Sequence, residues 1–368
     1  MKKVKQADYI LIGCFFVWIL LGLIVLNSAS SAVAYQRFSD SYFFIKKQVL
    51  LGLLPGLFLF FIFAKINYNK LKKIAWPLFA LSTLLLVLVF IPGIGSNYGT
   101  RSNSWIILLG NSFQPAEFAK FAMIIFLAYI ISKKTKDMTD FKNGFLLVFL
   151  YGMIPIFLVL MQPDLGSVVI MYSILVGMLF VANTSLKHMS ALLIFSILAL
   201  VVMIIIAPYR AERLMTFLHP ELDPQGQGYH INQAYLAVGS GGWFGRGYNQ
   251  SLQKFQYLPE VASDSIFAIM AEEMGFIFSF LFILLIFYIT HRSLRIAKGS
   301  TDEFGRLLVV GIIVWFFVQS FFNISAMLGL MPLTGVPLPF VSHGGTAMAI
   351  AMAGVGVLIN VSKKSELI

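Results

Sequence analysis

The segment from Tyr257 to Ser265 carries two carboxylates, Glu260 and Asp264, four residues apart at the start of a long apolar run. On a helix that begins early enough, residues four apart share one face. Asp264 would then lie in the first turn, where the helix dipole favours an ionised carboxylate. An ionised carboxylate at the mouth of a cavity can act as a general base, so Asp264 is the candidate catalytic residue. The competing interpretation is a helix cap, a role that Ser263 could fill alone.

Other ionisable residues stand inside apolar runs, where they are costly and usually functional. Pro115 suits the first turn of a helix, and Glu117 and Lys120 behind it are three apart and share a face. They line a cavity for substrate, or they form an ion pair that only holds helices together. Glu272 and Glu273 lie deeper in the run that follows Asp264, and at least one should face the protein interior, in a structural or a functional role.

Further candidate substrate-binding residues lie at the ends of apolar runs. Asp164 is placed to cap the next helix or to line the same cavity. Arg210 and Arg213 carry the planar forks that suit phosphate oxygens, although interfacial arginines also reach toward lipid headgroups. Ser342 belongs to the stretch 338–346, whose small residues could let a helix start approach a ligand closely and bind an anion.

These residues belong to a chain of 368 residues that is 59% hydrophobic and only 12% charged. Soluble domains are nearer ~25% charged, so this chain must have lipid as its solvent. Its net charge of +11 comes from short basic clusters between apolar runs, the pattern of membrane-protein loops rather than of a nucleic-acid partner. The single cysteine, Cys14, excludes an intramolecular disulfide and a cysteine metal site, and the five histidines are scattered.

Apolar runs long enough to cross a bilayer recur along the chain, since a span needs about 20 residues. Ten are predicted, at 9–29, 46–65, 74–92, 115–132, 144–161, 165–183, 188–207, 264–290, 306–330 and 342–361. We therefore expect an all-α integral membrane protein, one polytopic domain over 1–368, with a long extracytoplasmic segment at about 208–263 between spans seven and eight. Within that segment, 229–238 is predicted as a short amphipathic helix at the interface.

The basic residues also predict the orientation. Segments on the side of the amino terminus hold eighteen Lys and Arg, and segments on the other side hold eight, although these include the longest loop. Positively charged loops stay in the cytoplasm, so both termini are expected to be cytoplasmic and the long segment to lie outside.

Five motifs in order carry a resemblance that covers nearly the whole chain. They are 114–120, 162–166, 239–247, 257–264 with the two glutamates at 272 and 273, and 335–345. On these motifs the chain resembles the SEDS (shape, elongation, division and sporulation) family, whose members include FtsW and RodA. The stretch 251–260 looks more like FtsW, the division member, than like RodA.

The resemblance implies a peptidoglycan glycosyltransferase of the bacterial cytoplasmic membrane. Such a protein polymerises lipid II at the outer face and works with a class B penicillin-binding protein and other divisome membrane proteins. Asp264 matches the essential aspartate of the family, and Glu117, Lys120, Asp164 and Glu260 match other polar cavity positions.

The implied mechanism is an inverting glycosyl transfer. Asp264 takes the proton of the acceptor hydroxyl, and the diphosphate leaving group requires charge stabilisation from Lys120, Arg210 and Arg213 or from a divalent cation, Mg²⁺ or Mn²⁺. The sequence itself requires no cofactor.

Three other functions compete. A lipid II flippase or transporter would need polar residues through the full membrane depth, whereas here they lie in the outer half. The second is a RodA-like elongation polymerase. The third is a scaffold for division partners.

Overall fold

The computed structural model describes residues 6–96, 104–108, 110–135, 137–206 and 208–366. Within these residues the helices are α1 (Tyr9–Phe38), α2 (Phe43–Gln48), α3 (Leu54–Lys65), α4 (Leu71–Leu88), α5 (Pro115–Lys133), α6 (Leu146–Met161), α7 (Leu165–Val181), α8 (Leu186–Ile206), α9 (Pro208–Leu218), α10 (Gln227–Ser240), α11 (Ile266–Lys298), α12 (Glu303–Met327) and α13 (Gly345–Ser362). A small antiparallel sheet between α4 and α5 consists of β1 (Gly95–Ser96), β2 (Trp105–Leu108) and β3 (Asn111–Phe113), paired in that order.

The apolar helices coincide with the predicted spans. In the described part of the chain, eight are long and apolar enough to cross a membrane, and the shorter apolar helices at 165–181 and 186–199 fall on the sixth and seventh predicted spans. The second span is one continuous helix, Phe43–Lys65, in which a π-helical segment joins α2 to α3. The prediction of an all-α membrane protein with about ten spans is therefore confirmed.

Three helices, α5, α12 and α13, form the centre of the bundle. They are the most buried of the eight long spans, whereas the other five leave most of their surface to lipid. Small residues also let α13 of this centre pack closely against α3, because helices can approach closely only where side chains are short. A Cβ at Gly356 of α13 would lie 2.7 Å from the backbone oxygen of Phe60 in α3, and a Cβ at Gly56 would lie 2.5 Å from the sulfur of Met352.

About half of the predicted outer loop at 208–263 is helical. It contains α9, a 3₁₀ turn at Pro220–Leu222, and α10, which includes the predicted helix at 229–238. α10 packs against α11 and α12, and an irregular stretch from 241 to 265 then leads into α11.

Helix α11 is interrupted at Gly275, which has φ +76° and ψ −178°. This backbone conformation suits glycine because it has no Cβ. The backbone groups released at the interruption pair with the glycine-rich stretch 241–247. The four bonds run from Arg246 N to Glu272 O (3.0 Å), Gly247 N to Glu273 O (2.9 Å), Phe276 N to Gly242 O (2.8 Å) and Ile277 N to Trp243 O (3.2 Å). The outer segment thus completes the backbone pairing of a membrane-spanning helix.

Candidate active site

A cavity of about 170 Å³ opens in front of Asp264, where the start of α11 meets α9, α10 and the chain that follows α12. Its lining consists of Arg213, Gln227, His230, Asp264, Leu333, Thr334 and Gly335. A side chain at Gly335 would begin 4.0 Å from Oδ2 of Asp264, so the glycine leaves space directly before that oxygen. The cavity therefore combines one carboxylate and one guanidinium with three further polar side chains, those of Gln227, His230 and Thr334.

Asp264 precedes α11 and does not lie in its first turn. The helix begins at Ile266, and Ser265 is its N-cap residue. Glu260 has φ +51°, and its carbonyl accepts from Ser263 N and Ser265 N in a turn. The prediction that Glu260 and Asp264 share a helical face is therefore wrong, because the chain forms this turn first and the helix begins only after both residues.

The environment of Asp264 favours its protonated form. Burial first, and the nearby negative charge of Glu260 second, raise the pKa of Asp264 to about 7. The helix dipole expected from the sequence would instead have lowered this pKa. Ser263 Oγ lies 2.8 Å from Glu260 Oε2 and 3.4 Å from Asp264 Oδ1, so one hydroxyl connects the two carboxylates. A carboxylate with a pKa near neutrality is well matched to accepting a proton at physiological pH.

The backbone around Asp264 is held by α12 and by the segment between α12 and α13. Asn323 Nδ2 donates to the carbonyl of Asp264 at 2.7 Å, and His343 N donates to the carbonyl of Ala262 at 2.8 Å. Ser342 Oγ donates to the carbonyl of Ser263. The main chain that carries Asp264 is thus fixed on both sides of the residue.

Ser342, predicted to bind substrate, is buried and engaged with backbone. Besides donating to Ser263, its hydroxyl accepts from Leu338 N at 2.8 Å. The expected helix start nearby is α13, and the amide of Gly344 at its N-cap donates to Gln48 Oε1 at 2.9 Å. Ser342 therefore positions the Asp264 segment in this structure, and its role as a substrate ligand stays a prediction.

Glu117 and Lys120 form the predicted ion pair, and both are almost completely buried. Lys120 Nζ lies 2.7 Å from Glu117 Oε1 and 3.0 Å from Gln319 Oε1. The pair lies by a second, enclosed cavity, which Glu117 lines together with Gln319, Ser342 and His343. Neither Glu117 nor Lys120 is among the described lining residues of the Asp264 cavity. The ammonium of Lys120 is thus neutralised within the protein, whereas Arg213 lines the cavity with Asp264.

The remaining predicted residues fall in different places. Asp164 caps α7, as expected, by accepting from Ser167 N at 3.0 Å, and Gln114 Nε2 donates to its other oxygen at 3.4 Å. Its proposed contact with substrate is untested. Arg210 belongs to α9, and its side chain lies outside the described part of the structure.

His230 and Gln227 line the cavity but were not predicted from the sequence. They are three apart on α10 and so share the face that covers the cavity. His230 Nε2 lies 2.6 Å from Ser265 Oγ, and burial lowers the pKa of the imidazole. This spacing of polar residues was the available signal, but it gains meaning only once α10 is placed over Asp264.

Glu272 and Glu273 bind the loop that precedes the Asp264 segment. Glu272 Oε1 accepts from Leu252 N at 3.0 Å, and its other oxygen accepts from Ser251 Oγ. Glu273 forms a buried ion pair with Lys254, with Nζ 2.9 Å from Oε1. The sequence left a structural and a functional role open for these two glutamates. In the structure both carboxylates bind protein groups, which is the structural role.

Among the described residues, no group of three His, Cys, Asp or Glu side chains is arranged to hold a metal ion. A divalent cation at this site therefore stays a prediction from the sequence, and protein ligands for it are not assembled in the described part of the chain.

This architecture is that of a known class of membrane proteins. The model of the FtsW/RodA/SpoVE family, described as cell cycle proteins, matches residues 8–367, so the chain belongs to this family. It is 40% identical to stage V sporulation protein E of Bacillus subtilis over 99% of both chains. It is 37% identical to the probable peptidoglycan glycosyltransferase FtsW of Trichlorobacter lovleyi over 98% of this chain and 95% of that one. A chain of a solved peptidoglycan synthase complex, which coordinates polymerisation and crosslinking, superimposes with a TM-score of 0.81 at 25% identity, covering 98% of each chain.

Proposed function

We propose that this protein is a peptidoglycan glycosyltransferase that polymerises lipid II at the outer face of the bacterial cytoplasmic membrane. The observation that carries the proposal is the cavity in which Asp264, with a pKa of about 7, faces the same space as Arg213. A base that is ready near neutral pH and a cation beside it are what glycosyl transfer from a diphosphate requires. The similarity to probable peptidoglycan glycosyltransferases of the FtsW type supports the same reaction.

In the proposed reaction Asp264 is the catalytic base. Its carboxylate removes the proton of an acceptor sugar hydroxyl, and the oxygen attacks the anomeric carbon of the donor with inversion. The bond from that carbon to the diphosphate oxygen breaks, and the diphosphate leaves with the electron pair. A diphosphate needs no proton to leave, so one carboxylate is enough, unlike in hydrolysis of an ordinary glycosidic bond. Arg213 is placed to stabilise the negative charge that develops on the leaving group.

We assign the protein to cell division or sporulation rather than to elongation. The supporting relatives are FtsW proteins and a stage V sporulation protein, with identities of 32–40%. The sequence motif 251–260 had also indicated the FtsW type.

A class B penicillin-binding protein is the proposed partner, because the superimposed chain comes from a synthase complex that coordinates polymerisation and crosslinking. Other divisome membrane proteins are proposed as further partners.

The proposed orientation places both termini in the cytoplasm. The excess of basic residues on the terminal side supports it. The cavity of Asp264 then opens toward the outer leaflet, where a lipid-linked sugar has its headgroup.

The decisive experiment is polymerisation of purified lipid II by the reconstituted protein with its transpeptidase partner, compared with an Asp264→Asn variant. Asp40→Asn is the matched control, since that carboxylate lies on the surface in an ion pair with Lys46. We expect glycan strands from the wild type and from Asp40→Asn, and none from Asp264→Asn. Polymerisation by Asp264→Asn at the wild-type rate would exclude the base assignment. If neither the wild type nor the variants polymerise lipid II, while lipid II crosses the liposome membrane, the flippase interpretation replaces this one.

A further inference from the structure

We infer that the glycine-rich loop Gly241–Gly247 is a membrane-embedded element, which places Trp243 and Phe244 in contact with the acyl chains of the surrounding lipid. The sequence had placed this stretch in an extracytoplasmic loop. The inference does not depend on the proposed activity, because it follows from backbone pairing and surface exposure.

The backbone pairing fixes the depth of the loop. Phe276 N and Ile277 N of α11 donate to the carbonyls of Gly242 and Trp243. A hydrogen bond joins atoms about 3 Å apart, so the backbone at Gly242 and Trp243 lies at the same membrane depth as residues 276 and 277. The depth of the loop is therefore that of this part of α11.

Residues 276 and 277 lie inside the hydrocarbon layer. The basic end of α11 begins at Arg292, and a hydrocarbon core of about 30 Å corresponds to about 20 residues at 1.5 Å each. Phe276 stands sixteen residues before Arg292 on the uninterrupted part of α11, a rise of about 24 Å. It therefore lies about 6 Å inside the opposite boundary of the hydrocarbon core.

An irregular backbone is tolerated at membrane depth only where its polar groups are paired within the protein. Several backbone groups of the loop are paired in this way: Gly245 N donates to Gly241 O at 2.8 Å, the next two amides donate to α11, and the carbonyls of Gly242 and Trp243 accept from α11. Its glycines allow the close approach. A Cβ at Gly241 would lie 2.1 Å from Ala271 O, and one at Gly245 would lie 2.2 Å from Glu273 O.

The side chains of the loop continue the lipid-facing surface of α11. Trp243 is 67% exposed and Phe244 is 83% exposed. The Trp243 ring packs edge-on against Phe276, with centroids 5.2 Å apart, and Phe276 stacks on Phe280. Phe276 and Phe280 are themselves about half exposed on a spanning helix, the surface that lipid covers. Tryptophan favours the level just below the headgroups, which agrees with the calculated depth.

The test is quenching of Trp243 fluorescence by brominated lipids. The full chain is reconstituted alone into phosphatidylcholine vesicles brominated near the headgroup or near the bilayer centre. The contribution of Trp243 is the difference between the wild type and Trp243→Phe. Trp76→Phe gives the reference for a lipid-facing tryptophan within a span, because Trp76 is 46% exposed on α4. Trp18 and Trp315 are fully buried and stay in both members of each pair.

We expect bromine to quench the Trp243 contribution at least twofold, more strongly from the shallow position than from the central one. Aqueous iodide should quench it little. Strong quenching by iodide with none by brominated lipid would place the loop in water and overturn the inference. Resistance to both quenchers would mean that a second copy of the chain covers the loop, which overturns it as well. A second variant, Trp243→Phe with Phe244→Trp, moves the reporter by one residue and should show the same preference for shallow bromine.

Discussion

The side-chain nitrogen of Asn323 donates to the backbone carbonyl of Asp264 at 2.7 Å, and thereby ties the candidate base to the central helix α12. The same nitrogen donates to the carbonyl of Val336 at 2.8 Å. One turn earlier, Gln319 donates to Pro337 O at 2.9 Å and accepts from Lys120 at 3.0 Å. Two amides on one face of α12 therefore connect the Asp264 segment, the chain after α12 and the buried pair of α5.

Replacing Asn323 by alanine should therefore destabilise the protein and slow polymerisation. The substitution removes both donors and leaves two buried carbonyls without these partners, each at a cost of about 1–3 kcal/mol. We expect a lower thermal unfolding temperature in detergent and a reduced rate. Asn27→Ala is the control, since its bond to Tyr248 is exposed and its loss should change neither quantity measurably. A wild-type unfolding temperature for Asn323→Ala would show that these bonds do not hold the Asp264 segment.

The polymerisation rate should rise with pH through about 7. The pKa of Asp264 is raised to about 7, and only the ionised carboxylate accepts a proton, so the active fraction grows as pH increases. Initial rates measured from pH 5.5 to 9 should follow one ionisation and become level above about pH 8.

Glu260→Gln should move this rising limb to lower pH. The negative charge of Glu260 is one cause of the raised pKa, so its removal lowers the pKa of Asp264. Glu221→Gln, which alters an exposed carboxylate elsewhere in the outer segment, should leave the limb in place. A limb that stays fixed in Glu260→Gln, or moves to higher pH, contradicts the assignment of the rate to Asp264.

His230 offers a matched pair of substitutions. The amide nitrogen of glutamine can reach the position of Nε2, which contacts Ser265 Oγ at 2.6 Å, whereas asparagine reaches only the position of Nδ1. If His230 acts by holding Ser265, next to Asp264, then His230→Gln should retain most activity. His230→Asn should lose about two- to tenfold, the equivalent of one net hydrogen bond. The measurement is the rate of polymerisation at saturating lipid II, and the reverse order would indicate a role for Nδ1 instead.

The sequence predicted the spans well because a bilayer of fixed thickness sets the length of each apolar run. It also placed Pro115 at the first turn of α5 and Asp164 at the cap of α7, features that depend only on local backbone chemistry. The interruption of α11 at Gly275 was not predicted. A glycine inside an apolar run is ordinary in membrane helices, and only the loop that pairs with it requires the break.

The environment of Asp264 could not be predicted either, because it too depends on contacts with residues far away in the chain. The start of α11 at Ile266 is set by contacts with Asn323 and Ser342, which lie about 60 and 80 positions away in the chain. His230 carries only a weak local signal, its spacing of three from Gln227, since one histidine on a short helix has many roles. The ion pair of Lys120 with Glu117 was one of two interpretations of the sequence, and the structure contains it. The position of Lys120 relative to the Asp264 cavity could not be predicted, because it depends on how α5 packs under the chain after α12.

The buried pair of Lys254 and Glu273 permits a prediction by double substitution. Lys254 Nζ lies 2.9 Å from Glu273 Oε1 and 3.2 Å from Ser28 Oγ, so it joins the outer loop to α11 and α1. Lys254→Met leaves the carboxylate buried without its cation and should destabilise the protein by about 3–5 kcal/mol. Adding Glu273→Leu removes that stranded charge and should recover part of the loss, because a buried ion pair replaced by apolar groups is often nearly neutral. Thermal unfolding in detergent measures both steps. If the double variant is less stable than Lys254→Met alone, Glu273 holds the loop mainly through Ser28 and the amide of Ser251, and the ion pair is secondary.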